Sequence, residues 1–246
     1  MKFISEINQY IGGEEFSPAL KIPFSPTKFE DLNRVEKVVS ITRNKRVIHI
    51  GCADHLPLIE EKIKKNKWLH KLLIENTEKC IGVDINQEAI KYMSNNLHIS
   101  NLYCINILTD DIDFEDDEPW DYVILGELIE HVNNPVEFLQ AIRKKFNGKA
   151  RRIIITAPNI LNLFSAKYTK KNIEYINTDH RYWFTPYTLA KVAHESGFKN
   201  HELTFAEIVK LSMLRMGIRF VKSKLGMNRF YKANCFSTVI LTADFD

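Results

Sequence analysis

A doubly wound (Rossmann-like) α/β domain is the fold this sequence predicts, with a mostly parallel seven-stranded sheet and an antiparallel last strand. Three observations predict it. From Arg46 onward, short runs rich in Val and Ile alternate with longer segments of helical spacing. The runs are short and mainly apolar without strict alternation, as parallel strands covered on both faces are. Right-handed crossovers between such strands then give the doubly wound form. The first run ends in a glycine and the second in an aspartate, a pairing that belongs to nucleotide-binding sheets.

The elements follow in order. Residues 1–28 hold Gly12-Gly13, Pro18, Pro23 and Pro26 and read as an irregular arm or short helix. Phe29, Leu32, Val35, Val38 and Val39 have helical spacing, so 29–42 is an amphipathic helix. Strands are expected at 46–51, 80–84, 102–105, 120–125 and 152–156. Helices are expected between them at 55–75, 86–97 and 135–146. Residues 165–184 are polar and aromatic without a period, which suggests a lid spanning about 160–185. A helix at 186–197 closes on Gly197, a C-cap residue. A strand near 201–205, a helix from about 207 to 224 within a basic segment reaching 232, and a strand at 236–243 complete the chain. The division drawn is an arm and helix over 1–44 and one domain over 45–246.

Composition narrows the classes. The net charge of +3 is too small to imply nucleic acid by itself. Cys52, Cys80, Cys104 and Cys235 form no C-x-x-C pair, so they read as free thiols in a reducing compartment, not as zinc ligands. No apolar run is long enough for a membrane span and Met1-Lys2-Phe3-Ile4-Ser5-Glu6 lacks a signal-peptide core, so the expected location is cytoplasmic. The segment 207–232 carries seven Lys or Arg against Glu207. It reads either as a peripheral helix packed by one face or as a cationic surface for membrane or phosphorylated substrate. Eight acids between 110 and 121 read as a solvated loop.

The turn Gly51-Cys52-Ala53-Asp54-His55 lacks two of the three glycines of a dinucleotide fingerprint. An acid in that loop repels a pyrophosphate and suits an amino-acid ammonium group, which favours S-adenosylmethionine over NAD. Taken alone, the same turn fits a plain strand-to-helix connection with Asp54 as N-cap. Asp84 is placed to hydrogen-bond ribose hydroxyls and Ile85 to lie against adenine. Asp84 stands 33 positions beyond Gly51, more than the usual spacing of about 20. The helix between them is therefore longer than usual or interrupted.

Val123-Ile124-Leu125-Gly126-Glu127-Leu128-Ile129-Glu130-His131-Val132-Asn133-Asn134-Pro135 resembles the class I S-adenosylmethionine-dependent methyltransferases, and within them the small-molecule enzymes of the ubiquinone-biosynthesis type. Ile48-His49-Ile50-Gly51-Cys52 resembles their first motif and Gly82-Val83-Asp84-Ile85 their second. Asp179-His180-Arg181-Tyr182-Trp183-Phe184-Thr185-Pro186 resembles their segment before the last helix of the core. The resemblance implies cofactor contacts at Gly51, Cys52, Ala53, Asp84, Ile85, Asn106, Ile107, Gly126 and Glu127. It departs from the family at Ala53-Asp54-His55, and at Asn106, where an aspartate usually holds the adenine. Asp110 or Asp111 are the available substitutes.

A hydroxyl acceptor must lose a proton, and His is the base suited to neutral pH. His180 and His131 are the candidates, with His180 facing the acceptor and His131 shaping the site. His55 is a third, better read as the start of a helix. Arg181, Tyr182 and Trp183 are candidate acceptor contacts. The expected function is methyl transfer to a small molecule, at a hydroxyl oxygen of a sugar or glycan precursor or of a quinone precursor. The alternatives are an RNA or protein methyltransferase and a non-catalytic nucleoside-binding relative. Nucleic acid is not the expected partner, an oligomer is allowed, and no metal is expected because no carboxylate cluster is evident.

Overall fold

The computed structural model describes residues 5–24, 27–28, 32–112, 114, 118–209 and 230–246. Seven strands form the main sheet: β2 (Arg46–Ile50), β3 (Lys79–Asp84), β4 (Leu102–Cys104), β5 (Trp120–Gly126), β6 (Ala150–Pro158), β7 (Lys199–Ile208) and β9 (Phe236–Asp244). Their order is β4-β3-β2-β5-β6-β9-β7. The pairs from β4 to β6 are parallel, and β9 runs antiparallel to both β6 and β7. The predicted seven-stranded sheet with a reversed last strand is therefore what forms. A separate two-stranded ribbon joins β1 (Thr27–Lys28) and β8 (Phe230–Tyr231).

Alternate strand residues serve different layers, as the pleat requires. Ile48, Ile50, Ile81, Val83, Val123, Leu125, Ile153 and Ile155 enter one core, beside Leu139, Ile142 and Phe146 of α6 (Pro135–Phe146) and Leu189, Ala190 and Ala193 of α8 (Pro186–Glu195). Val47, Ile124, Ile154 and Ile240 face the other way, onto Val35, Val38 and Val39 of α2 (Arg34–Thr42) and Leu69 and Leu73 of α4 (Leu69–Asn76). Helix α2, set apart from the domain in the sequence reading, thus supplies part of a covering layer of the sheet. Upstream, α1 (Ser5–Gly12) lies against α8, where Lys191 Nζ donates to the carbonyl oxygens of Tyr10 and Ile11.

Local chemistry explains the boundaries. Asn33 opens α2 with a reciprocal capping box to Glu36. The long helix expected at 55–75 is two helices, α3 (Leu56–Lys64) and α4. Between them Asn66 takes a left-handed conformation, φ 55°, which ends the first helix. The interruption accounts for the long spacing from Gly51 to Asp84. Next, α5 (Gln87–Leu97) is capped by the side chain of Asn86, which accepts from Ala89 N. The lid segment contains one short helix, α7 (Leu163–Thr169), and is otherwise irregular. Helix α8 ends as predicted at Gly197, φ 90°. Gly197 N donates to His194 O and Phe198 N to Ala193 O, the two bonds of a Schellman cap.

At the C-terminal side, β7 continues through Glu207 and Ile208, where the sequence reading begins a helix. The rest of that basic segment, 210–229, lies outside the described residues. Among the described residues no helix is long and apolar enough to cross a membrane. Cys52, Cys80 and Cys235 are buried, Cys104 is exposed, and none of the four is in a disulfide.

Candidate active site

The order of strands reverses beside β2, with β3 on one side and β5 on the other. Ligands of open α/β sheets bind at such a switch, beyond the carboxyl ends of the strands. A cavity of about 370 Å³ opens there.

Its floor is the turn after β2. Gly51 has φ +73°, and a β-carbon on it would stand 2.9 Å from Leu128 Cδ2. The positive φ favours glycine, while the Leu128 side chain packs directly against the turn. Gly51 N and Cys52 N donate to Val83 O, which ties the turn to β3. The Cys52 side chain is buried among Ile59, Trp68, Ile90 and Met93. Asp84 ends β3, where its carboxylate accepts from Ala53 N at 3.0 Å and Asn86 N at 2.9 Å. Its oxygens keep further lone pairs for ribose hydroxyls. Burial pushes the Asp84 carboxyl upward, against the lowering effect of those backbone bonds.

The expected cofactor residues divide into two groups. Gly51, Cys52, Ala53, Asp84, Gly126 and Glu127 line the cavity. Ile85, Asn106 and Ile107 stand outside its wall, and Ile107 is buried in the core. Ile85 is 67% exposed next to Asp84. Asn106 Oδ1 accepts from Leu108 N, and Asp110 turns its carboxylate to Asn106 N and Thr109 Oγ1. Asp110 therefore shapes this loop, while Asn106 Oδ1 retains one lone pair. Asp54 pairs with Lys62 of α3, so its charge is already compensated within the loop.

The opposite wall is the segment after β5. Glu127 has φ +56°, an uncommon conformation for a non-glycine residue, and its N–H is held by both O and Oγ1 of Thr156. Arg34 Nε of α2 meets Glu127 Oε1 at 3.2 Å. Glu130 is fully buried, and neither of its carboxylate oxygens has a hydrogen-bond partner. Burial first, then the neighbouring Glu127 charge, push the Glu130 carboxyl up to about 8.

The lid delivers His180 to this wall. His180 Nε2 is 4.0 Å from Glu130 Oε1, and its ring meets His131 edge-on at a centroid distance of 4.7 Å. One donor atom from each of Glu130, His131 and His180 lies within 4.8 Å of the others. Burial, then the His131 charge, hold His180 below the usual histidine range. The two candidate bases are thus neighbours, and both line the cavity. His55 lies just before α3, exposed, with Nε2 3.7 Å from Asp179 of the lid.

Arg181 and Tyr182 do not line this cavity as the sequence reading expects of acceptor contacts. Arg181 donates from its backbone N to Glu130 O and from Nη1 to His131 O, and Tyr182 OH donates to Asn133 O at 2.7 Å. Their polar groups fasten the lid to the loop after β5. Trp183 packs edge-on against His180 and faces a separate hollow with Tyr175.

Sequence reasoning missed Arg34, His49 and Glu130. Arg34 comes from the helix set apart from the domain. His49 sits in β2 on the core side, with Nδ1 3.3 Å from His70 Nδ1, and both rings are buried. Gly82 leaves space for the His70 ring, where an added β-carbon would be 2.7 Å away, and Gly126 leaves it for Leu69, also at 2.7 Å. Glu130 was legible within the acidic motif, as the second acid of Glu127-x-x-Glu130.

A Rossmann-like sheet with a glycine turn, a carboxylate after its second strand and an acidic turn after its fourth defines the class of S-adenosylmethionine-dependent methyltransferases. Comparison with known proteins agrees. A family model described as a methyltransferase domain matches residues 28–203, and the chain belongs to that family. S-adenosylmethionine is its cofactor, and the Gly51 turn and Asp84 fit that ligand.

Among solved structures, a protein from Thermotoga maritima described as a possible histamine N-methyltransferase is 12% identical, covering 86% of this chain and 87% of its own, with TM-score 0.55. The small RNA methyltransferase HEN1 is 18% identical, covering 91% of this chain and 27% of its own, with TM-score 0.56. A methyltransferase from Archaeoglobus fulgidus is 19% identical, covering 86% and 91%, with TM-score 0.49. No curated protein sequence matches the chain.

Proposed function

We propose that this chain methylates a hydroxyl oxygen of a small molecule, with His131, His180 and Glu130 acting on the acceptor side of the cavity. The observation that carries the reading is the meeting of His131 and His180, which line the cavity across from the Gly51 turn, with the buried Glu130 behind them. S-adenosylmethionine, when bound, supplies a methyl group already activated on a sulfonium. The methyl passes to oxygen while the electron pair of the broken carbon–sulfur bond stays on sulfur. The hydroxyl must give up its proton, and two neighbouring imidazoles beside a buried carboxylate suit that demand.

Positioning contributes most of the remaining rate. Gly51 and Asp84 hold the cofactor end. Arg34 orients Glu127, and the lid, fastened by Arg181 and Tyr182, limits water at the acceptor end. Asn177 and His180 line the same cavity from the lid, which favours a compact acceptor over a polymer. The shared fold does not choose the acceptor, since the similar structures bear names of both RNA and small-molecule enzymes.

Incubation with methyl-labelled S-adenosylmethionine and a panel of hydroxylated sugars, phenols and hydroxy acids, with an oligonucleotide as comparison, tests the reading. It expects an O-methyl product from a small molecule, lost in His180→Asn. Labelling of nitrogen, or of the oligonucleotide alone, would refute it.

A further inference from the structure

Glu130 poses a question that methyl transfer alone does not answer. Its carboxylate is fully buried without a hydrogen-bond donor on either oxygen. Burial of an unpaired carboxylate costs several kcal/mol. Its surroundings hold two imidazoles, with His180 Nε2 4.0 Å away and His131 against His180. His180 Nδ1 is buried without a partner as well. A second carboxylate, Glu127, is about one-third exposed and lines the same cavity.

We propose that Glu130, His131 and His180 bind one first-row divalent cation, with Glu127 completing the ligand set or holding a water on it. The donor chemistry selects the ion. Two imidazole nitrogens with one or two carboxylates suit Mn²⁺, Co²⁺ or Zn²⁺, whereas Mg²⁺ prefers oxygen donors throughout. Donors about 2.1 Å from a cation lie roughly 3–3.4 Å from one another. A contact of 4.0 Å between His180 and Glu130 is an open form of such a set, which side-chain rotation closes.

The cation also fits its place. Glu130 and His131 belong to the turn after β5 and His180 to the lid, so a bound ion joins the two where Arg181 already bonds both Glu130 O and His131 O. The sequence reading expects no metal because it looks for clustered carboxylates; here the lid assembles the donors from separate segments. Resting on the assignment of this wall to the acceptor, the inference adds how a hydroxyl is activated. The acceptor oxygen binds at an open position of the cation and its proton passes to water. The two imidazoles then serve the hydroxyl through the cation, in place of the direct proton acceptance proposed above.

The test is binding, and it needs no acceptor. Full-length protein stripped with a chelator is titrated with Mn²⁺ and followed by loss of the free-ion paramagnetic resonance signal, and with Co²⁺ and followed by visible absorption. One ion per chain is expected, weakened at least about 100-fold in Glu130→Gln and in His180→Ala and unchanged in His201→Ala. Circular dichroism melts establish that each variant is folded, and Mn²⁺ raises the melting temperature of the wild type but not of Glu130→Gln. Absence of binding by Mn²⁺, Co²⁺ and Zn²⁺ at millimolar concentration would overturn the proposal, as would affinity unchanged in both folded variants. A cation that binds in an enzyme yielding no O-methyl product would leave the site standing and refute the acceptor reading alone.

Discussion

A β-carbon on Gly51 would stand 2.9 Å from Cδ2 of Leu128, so the turn after β2 is fitted against the acidic segment on the opposite wall. The two motifs that define the enzyme class are in contact, and a change in one is felt by the other. Gly51→Ala must also adopt φ +73°, at a cost of about 1–2 kcal/mol. The expected outcome is at least about a tenfold loss of affinity for S-adenosylhomocysteine by calorimetry. Adding Leu128→Ala relieves the steric part and leaves the backbone part, so recovery should be partial. Full recovery in the double variant would show that φ at Gly51 is of no consequence.

Arg34 reaches the site from α2 and holds Glu127 at 3.2 Å. Arg34→Ala leaves Glu127 free to turn away, which should lower kcat about tenfold by loss of positioning. The KM for cofactor should stay within a factor of about two, because Arg34 acts on the acceptor wall. Steady-state kinetics separates the two parameters. A rise in cofactor KM at unchanged kcat would place Arg34 at the cofactor's carboxylate instead.

His70 and His49 are buried as neutral rings under the cavity. Burial holds His70 down to about 4 and His49 well below the usual range, the latter helped by His70 and Arg34. Above about pH 6.5 both rings are neutral, folded or unfolded, and the pair carries no pH-dependent cost. As pH falls below about 6.5, the unfolded chain takes up protons that the folded chain refuses. Stability then drops by up to about 1.4 kcal/mol per pH unit for each ring, continuing for His70 down to about 4. Urea unfolding at pH 7, 6, 5 and 4.5 should show this slope, and His70→Asn should make it shallower. The same slope in the variant would assign the acid lability elsewhere.

Tyr182 OH donates to Asn133 O at 2.7 Å and fastens the lid. Tyr182→Phe removes one hydrogen bond, worth about 1 kcal/mol. Acceptor KM should rise about fivefold while the affinity for S-adenosylhomocysteine in the absence of acceptor stays unchanged. A matching loss of cofactor affinity would mean that the lid closes on the cofactor and not on the acceptor.

Much of this was legible in the sequence. The central strands β2, β3, β5 and β6 announce themselves by their buried Val and Ile runs, and Gly197 marks its helix end because glycine takes a positive φ without steric cost. Gly51, Asp84, Glu127, His131 and His180 followed from motifs. What was not legible has physical reasons. The break at Asn66 lies inside a run of lysines and apolar residues whose helical period continues across it. Arg34 and His49 reach the site through packing: one from a covering helix, one from within β2 against His70. Arg181 and Tyr182 look like ligand contacts from their type, but the backbone carbonyl oxygens after β5 take their donors first.

The central claim is that S-adenosylmethionine binds across the Gly51 turn and Asp84. Calorimetric titration with S-adenosylhomocysteine, in the wild type and in Asp84→Asn, tests it most directly. The prediction is one site per chain, weakened about 10- to 100-fold when the carboxylate that holds Ala53 N and the ribose is neutralised. No binding by the wild type, or equal affinity in Asp84→Asn, would contradict it.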